Sequence, residues 1–341
     1  MTHRLDTVKH LGLAAVTLLG ALAQTSCNSI DDDLSDCGIE ATVTYEMRLI
    51  TNMETELATE LGEPADAPVQ QALRTRLSPI FNERAHDLDL SFYNADDVPA
   101  LPLLHHEQHI VDAKQATYNI YLPLHRYQNL ALANTEGNAQ VTIATSTDGT
   151  TAALVTAATA TAPQPPHATG LFTARLPMDL SQAEGPHTYH AYLYMANCSA
   201  ALVVDTTGVS PKAITVAVSG LADRFLINDS TYSYGNRIVA SAPEVQAPTG
   251  HQACYCAVAF PSRDFATRAA DNATVWTVIA DVDMPDGSTT HNVINVYQPL
   301  KAACLKIIKV RMQDDGSFQP VTTEVGVSTS LNWRKGGEYE I

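Results

Sequence analysis

Apolar and polar residues alternate with period two near the start of this chain, and the pattern recurs to its end. Val43, Tyr45, Met47 and Leu49 interleave with Thr42, Thr44, Glu46 and Arg48, as in a strand with one buried face. Leu88 to Tyr93 repeats the signal and is closed by the turn-prone Asn94-Ala95-Asp96-Asp97. Further strands are expected over 116–122, 127–134, 141–144, 171–176 and 188–195, with Asp148-Gly149 as a turn. The second half adds 213–218, 237–240, 254–260, 275–282, 291–296, 304–312 and 339–341, and Asp286-Gly287 and Asp315-Gly316 are hairpin cues between several of these. Residues 52–85 break the pattern. Met53, Leu57 and Leu61, then Val69, Leu73 and Leu77, recur every four residues around Pro64 and Pro68, which predicts a helical or irregular insertion. Arg74 and Arg76 within it are surface residues or protease targets. Residues 151–168, mostly Ala, Thr and Pro, read as an exposed loop. Short, punctuated strands with scarcely any helix predict an all-β fold of the sandwich type.

A chain of 341 residues has room for two domains of about 150 residues each. The turn-prone Glu184-Gly185-Pro186 divides it into an N-terminal sandwich, 38–184, and a C-terminal one, 185–341. A net charge of −17 would repel nucleic acid or an anionic lipid surface, so neither is expected as a partner. Cys254 and Cys256 flank Tyr255 on a predicted strand and share a face. Their Cα atoms then stand near the upper limit of disulfide reach, so they are expected to be buried or to pair at long range. A metal there would need more ligands than Tyr255 and His251 supply.

The first residues carry a different pattern. Leu11 to Ala23 is an apolar run with Arg4 and Lys9 before it, too short to span a bilayer, which takes about 20 residues. Gln24-Thr25-Ser26-Cys27 follows, and the whole resembles a bacterial lipoprotein signal. That resemblance implies removal of 1–26, lipidation of Cys27 as the mature N-terminus, and anchoring to the outer membrane without crossing it. The alternative is an ordinary secretory signal with Cys27 destined for a disulfide. With Cys27 lipidated, Cys37, Cys198, Cys254, Cys256 and Cys304 are an odd number, so at least one is free or pairs elsewhere. Residues 27–37 read as an acidic tether, and Asp31-Asp32-Asp33 behind the cysteine resembles the export signal that carries lipoproteins of Bacteroidales-type bacteria to the outer face of the outer membrane.

Catalytic chemistry is not expected. His105-His106-Glu107-Gln108-His109 is one residue short of the His-Glu-x-x-His zinc-protease spacing and reads as a solvated loop. A metal-dependent hydrolase built on His105, His106 and His109 is the weakest reading. No nucleophile elbow, phosphate loop or dinucleotide fingerprint occurs, and Asp96-Asp97 and Asp314-Asp315 are turn residues whose side chains point apart. No catalytic residue, cofactor or metal is therefore assigned. Trp333 is a core or interface residue. Asp205-Thr206-Thr207 and Asp229-Ser230-Thr231 resemble the short O-glycosylation acceptor of these bacteria.

Taken in order, several segments resemble the Bacteroidales fimbrial anchor and minor-subunit lipoproteins, relatives of the fimbrillins. They are Cys27 with the Asp-Asp-Leu-Ser-Asp-Cys at 32–37, Leu88 to Asn94, Tyr118 to Asn134, and the ending Leu331 to Ile341. The resemblance implies two tandem transthyretin-like Greek-key β-sandwiches and a surface-exposed, lipid-anchored component of a fimbrium. Its partners would be shaft or accessory pilin subunits, joined by strand addition in which main-chain hydrogen bonds give affinity and alternate side chains give register. Whether the C-terminal strand donates or caps stays open. The rival reading is a tip adhesin or surface glycan-binding lipoprotein, which needs exposed aromatics; Tyr232 and Tyr234 are the candidates, although aromatics are only 6% of residues with two tryptophans, Trp276 and Trp333.

Overall fold

The computed structural model describes residues 40–60, 67–96, 100–144, 147–157, 162–182, 185–236, 238–245, 251–264, 274–321 and 325–332. The segment expected to be a signal, Cys27, the expected tether to Cys37, Trp333 and the strand expected at 339–341 lie outside them. The fold described here is that of the compact unit Ala41–Ile341, with Glu40 before it.

In chain order the elements are β1 (Glu40–Ile50), α1 (Met53–Glu60), α2 (Ala67–Phe81), β2 (Ala85–Asn94), β3 (Leu103–Ala113), β4 (Gln115–Pro123), β5 (Arg126–Ala133), β6 (Val141–Ala144), β7 (Ala153–Thr156), β8 (Phe172–Asp179) and β9 (His187–Met195). They continue with β10 (Cys198–Asp205), β11 (Ala213–Leu221), β12 (Arg224–Leu226), β13 (Thr231–Ser233), β14 (Ile238–Ala242), β15 (Glu244–Val245), β16 (Gln252–Ala259), β17 (Trp276–Asp283), β18 (Thr289–Val296), β19 (Leu305–Met312), β20 (Phe318–Pro320) and β21 (Val325–Asn332). The all-β expectation holds. The insertion at 52–85 is helical, as its four-residue period predicts, and it places Arg74 and Arg76 inside α2.

Seven strands form one sheet in the order β3-β2-β5-β8-β9-β1-β4. β8 and β9 pair only at Phe172↔Met195 and Thr173↔Tyr194, so the sheet splits there into two layers, β3-β2-β5-β8 and β9-β1-β4. Val43, Tyr45, Met47 and Leu49 of β1 meet Leu88, Leu90 and Phe92 of β2 in the core between them. One polar tie crosses that core, the Tyr45 hydroxyl donating to Asn129 Oδ1 at 2.8 Å, and burial holds the Tyr45 hydroxyl far above its ordinary pKa. The outer face of β2 and β5 is covered by a four-stranded sheet, β13-β12-β7-β6, through Tyr93, Leu130, Leu132, Leu154 and Phe225.

The remaining strands make a second sandwich, β15-β16-β10-β19-β20 on β14-β11-β17-β18-β21, with Leu202, Val204, Val218, Trp276, Ile294 and Val310 between the layers. β10 is apolar on both faces. Leu202 and Val204 face that core, while Ala201 and Val203 join the first core together with Val69, Leu73 and Leu77 of α2. Doubly buried strands read as continuous apolar runs, which is why Cys198 to Val204 shows no alternation.

The chain does not divide at 184/185. β9 lies in the first sheet, so Glu184-Gly185-Pro186 falls between two strands of one sheet, with Gly185 at φ 91. β12 and β13 also return to cover the first sandwich, and the strands of the second begin at Cys198. A turn signal marks a change of chain direction, and a hairpin supplies one as readily as a linker does. The Asp-Gly cues behave as expected, with Gly287 at φ 87 between β17 and β18 and Gly316 at φ 79 between β19 and β20.

Candidate functional site

The histidine stretch is strand, not loop. Residues 103–113 form β3, paired with β2 from Ala85↔Ala113 to Tyr93↔Leu103. Alternation then sorts the side chains. His105, Glu107, His109 and Val111 are half-buried on one face, while His106, Gln108, Ile110 and Asp112 are exposed on the other. Glu107 takes both of its neighbours, with His105 Nε2 2.7 Å from Oε1 and His109 Nε2 2.9 Å from Oε2. On the opposite face Asp89 Oδ2 accepts from Gln108 at 3.0 Å and lies 2.9 Å from His106 Nε2. Because His106 points away from His105 and His109, the three cannot converge on one ion. No group of metal-ligating side chains arranged to hold an ion occurs among the described residues.

This strand sits at the end of its sheet. β4 ends the other side, and Lys114 alone joins the two at a corner, ion-paired to Glu83. No described strand pairs with the outer edge of either. The rings of His109 and Tyr118 stack across the opening, with centroids 4.3 Å apart and an interplanar angle of 29°. Ile110 is 93% exposed on the edge itself. Two edges of 11 and 9 residues thus present unpaired main-chain groups with half-buried side chains between them, the arrangement to which an extended segment adds.

In the sheet β15-β16-β10-β19-β20 the edge is covered. α1 lies beside β19, where Glu56 Oε2 accepts from Leu305 N at 3.3 Å and Glu60 Oε2 from Ile307 N at 3.1 Å. Carboxylates one helical turn apart match amides two residues apart on a strand, because the spacings are close, about 6 Å and about 7 Å. Lys306 adds an ion pair to Glu60 at 3.6 Å. Farther along, β20 covers Val310 to Met312 and carries Pro320.

The other sequence candidates fall in structural roles. Cys254 and Cys256 are buried and unpaired, as are Cys198 and, half-buried, Cys304. Burial pushes the Cys254 thiol up to about 12 and the Cys256 thiol to about 11, so neither is a ready nucleophile. Tyr232 and Tyr234 are not the exposed platform expected of them: their hydroxyls donate to Ala196 O at 2.6 Å and Ser262 O at 2.7 Å. Trp276 is core, its Nε1 donating to Gln298 O. Thr207 donates to Asp205 Oδ1 at 2.6 Å, so that acceptor motif is a turn. Among the described residues no helix is long and apolar enough to cross a membrane.

No protein-family model matches this sequence, and no curated protein does. Solved structures do. A candidate adhesin of Bacteroides ovatus aligns over 92% of this chain and 100% of its own, at 12% identity and a TM-score of 0.53. A second, from Bacteroides thetaiotaomicron, aligns over 86% and 99% at 11% identity and a TM-score of 0.52. The chain has the fold of these Bacteroidales adhesin candidates. The fimbrial anchor protein Mfa2 of Porphyromonas gingivalis covers 85% of this chain and 99% of its own at 12% identity, with a lower TM-score of 0.49.

Proposed function

We propose that the protein is a non-enzymatic surface component of a fimbrium, held to the outer membrane by lipid on Cys27 and joined to a pilin subunit by strand addition. The observation that carries the reading is the pair of bare edges at β3 and β4, in a sheet whose other strands are all paired. A covered edge needs no partner, whereas a bare edge of this length is a template for one. The fold shared with candidate adhesins supports a role at the cell surface. The lipoprotein-like Leu11 to Cys27 and the acidic tether support attachment there.

The membrane end of the reading is tested by Cys27→Ala in the full chain. Fimbriae should appear in the medium instead of on cells, measured by immunoblot of cell and supernatant fractions. Unchanged attachment would remove the anchor role and leave the strand edges to be explained by another partner.

A further inference from the structure

The two layers of the first sandwich differ on their outer sides. That of β2 and β5 is roofed by the sheet β13-β12-β7-β6, whereas no described element covers that of β9-β1-β4. On β9 the outward residues are Thr188, His190, Tyr192 and Tyr194, and the tyrosines are 49% and 59% exposed. The parallel register sets Arg48 beside Tyr192 and Ile50 beside Tyr194. One row on, Glu46 Oε2 lies 3.0 Å from His190 Nδ1, and Thr44 donates to Asn119 of β4 at 3.4 Å. Arg48 has no hydrogen-bond or ion-pair partner among the described residues and is exposed, on the strand position paired with Tyr192.

From this we infer that the outer face of β9-β1-β4 binds a polysaccharide bearing carboxylates, of the uronic-acid class. Pyranose rings lie on Tyr192 and Tyr194, which stand about 7 Å apart along the strand, and the Arg48 fork takes a carboxylate. The hydroxyl, amide and imidazole groups of Thr44, Asn119 and His190 face sugar hydroxyls. The composition of the face favours a glycan over a protein partner. Ile50 is the one aliphatic side chain among these outward positions, whereas the core of a protein interface is apolar and depleted in such polar groups. The free cation next to an aromatic platform selects an acidic glycan over a neutral one. The chain's net charge of −17 opposes this as it opposes other polyanions, so binding depends on Arg48 at close range, with charges beyond about 8 Å screened at physiological salt.

Affinity electrophoresis of the full chain in polygalacturonate, with neutral pullulan as control, tests the assignment. Retardation is expected in polygalacturonate and not in pullulan. Tyr192→Ala and Tyr194→Ala should each weaken it by about tenfold, a change of about 1.4 kcal/mol, and Arg48→Ala should abolish it. All three side chains are exposed, so thermal melting should be unchanged and a folding defect is separable from a binding one. Absence of retardation, equal retardation in pullulan, or indifference to the three variants would overturn the inference. So would capture of a protein at this face without either polysaccharide being bound. The outcome is independent of the fimbrial reading, which turns on β3, β4 and Cys27.

Discussion

Two sheets of this molecule end in opposite ways. The seven-stranded sheet stops at β3 and β4, long strands with no described neighbour beyond them. The sheet β15-β16-β10-β19-β20 stops at a two-residue strand on one side and a three-residue strand with Pro320 on the other, and α1 fills the remaining gap on β19 with two carboxylates. Short edge strands, proline and covering elements are the common devices by which proteins prevent edge-to-edge pairing. One chain uses them on one sheet and omits them on another, so the bare edges are a local property and not a general looseness of the fold.

Removing the cover is the most disruptive way to break this contrast. In Glu56→Ala/Glu60→Ala the amides of Leu305 and Ile307 lose their acceptors, and each half-buried N–H left unpaired costs about 1–2 kcal/mol. Urea unfolding should therefore show a loss of about 2–4 kcal/mol. The Gln/Gln pair of variants keeps an oxygen at each position and should recover most of it. If Ala/Ala and Gln/Gln behave alike, the carboxylates are not edge caps and the two sheets are less different than they look.

Acid should separate this contrast from the junction that the two sandwiches share. Residues 162–171 run between them, with Gln164 N donating to Val239 O and His167 N to Val258 O, both on strands of the second sandwich. His167 is buried against Phe260, its Nδ1 has no partner among the described residues, and burial depresses its pKa to about 3. The unfolded chain takes up a proton near pH 6.5 that the folded chain refuses until about pH 3. Stability from this group is thus complete above pH 6.5 and falls as pH drops through that window, by about 1.4 kcal/mol per unit. Between pH 6.5 and 5 the loss is about 2 kcal/mol, and His167→Gln should flatten that slope in pH-dependent melting. A slope that survives the substitution would mean that other groups carry the acid sensitivity.

How much of this was legible in the sequence follows from what each residue faces. β1, β9, β17 and β18 alternate cleanly because one side of each meets a core and the other does not, and their positions can be read directly. β10 was invisible to the same reading because both of its faces are buried, and α1 and α2 were legible as a four-residue period that left helix and irregular structure both open. β3 is the instructive failure. Its apolar content is low because it is an edge, so His105, Glu107 and His109 read as loop residues, although their i, i+2, i+4 spacing was itself the strand signal. Tyr192 and Tyr194 were placed on a strand correctly, but which side of β9 stays bare depends on where β13-β12-β7-β6 lands, and that is set by strands far away along the chain on either side. The division at 184/185 failed for a related reason: β12 pairs back with β7, and carries β13 with it, across a long sequence separation that no local pattern reveals.

The smallest expected effect on stability is the most informative about function. Ile110 lies on β3, 93% exposed, and touches too little of the protein for its loss to matter to folding. Ile110→Lys should change the unfolding free energy by less than about 0.5 kcal/mol. Lysine on an edge strand is also one of the devices by which proteins prevent strand addition, so the substitution gives β3 the protection that β19 already has. If a pilin segment adds at this edge, the variant should be as stable as the parent, remain on cells through Cys27, and fail to co-purify with the fimbrial subunit in a pull-down from surface extracts. Undiminished co-purification would move the contact to the β4 side or away from this opening altogether, and the contrast between the two sheets would then describe folding safety alone.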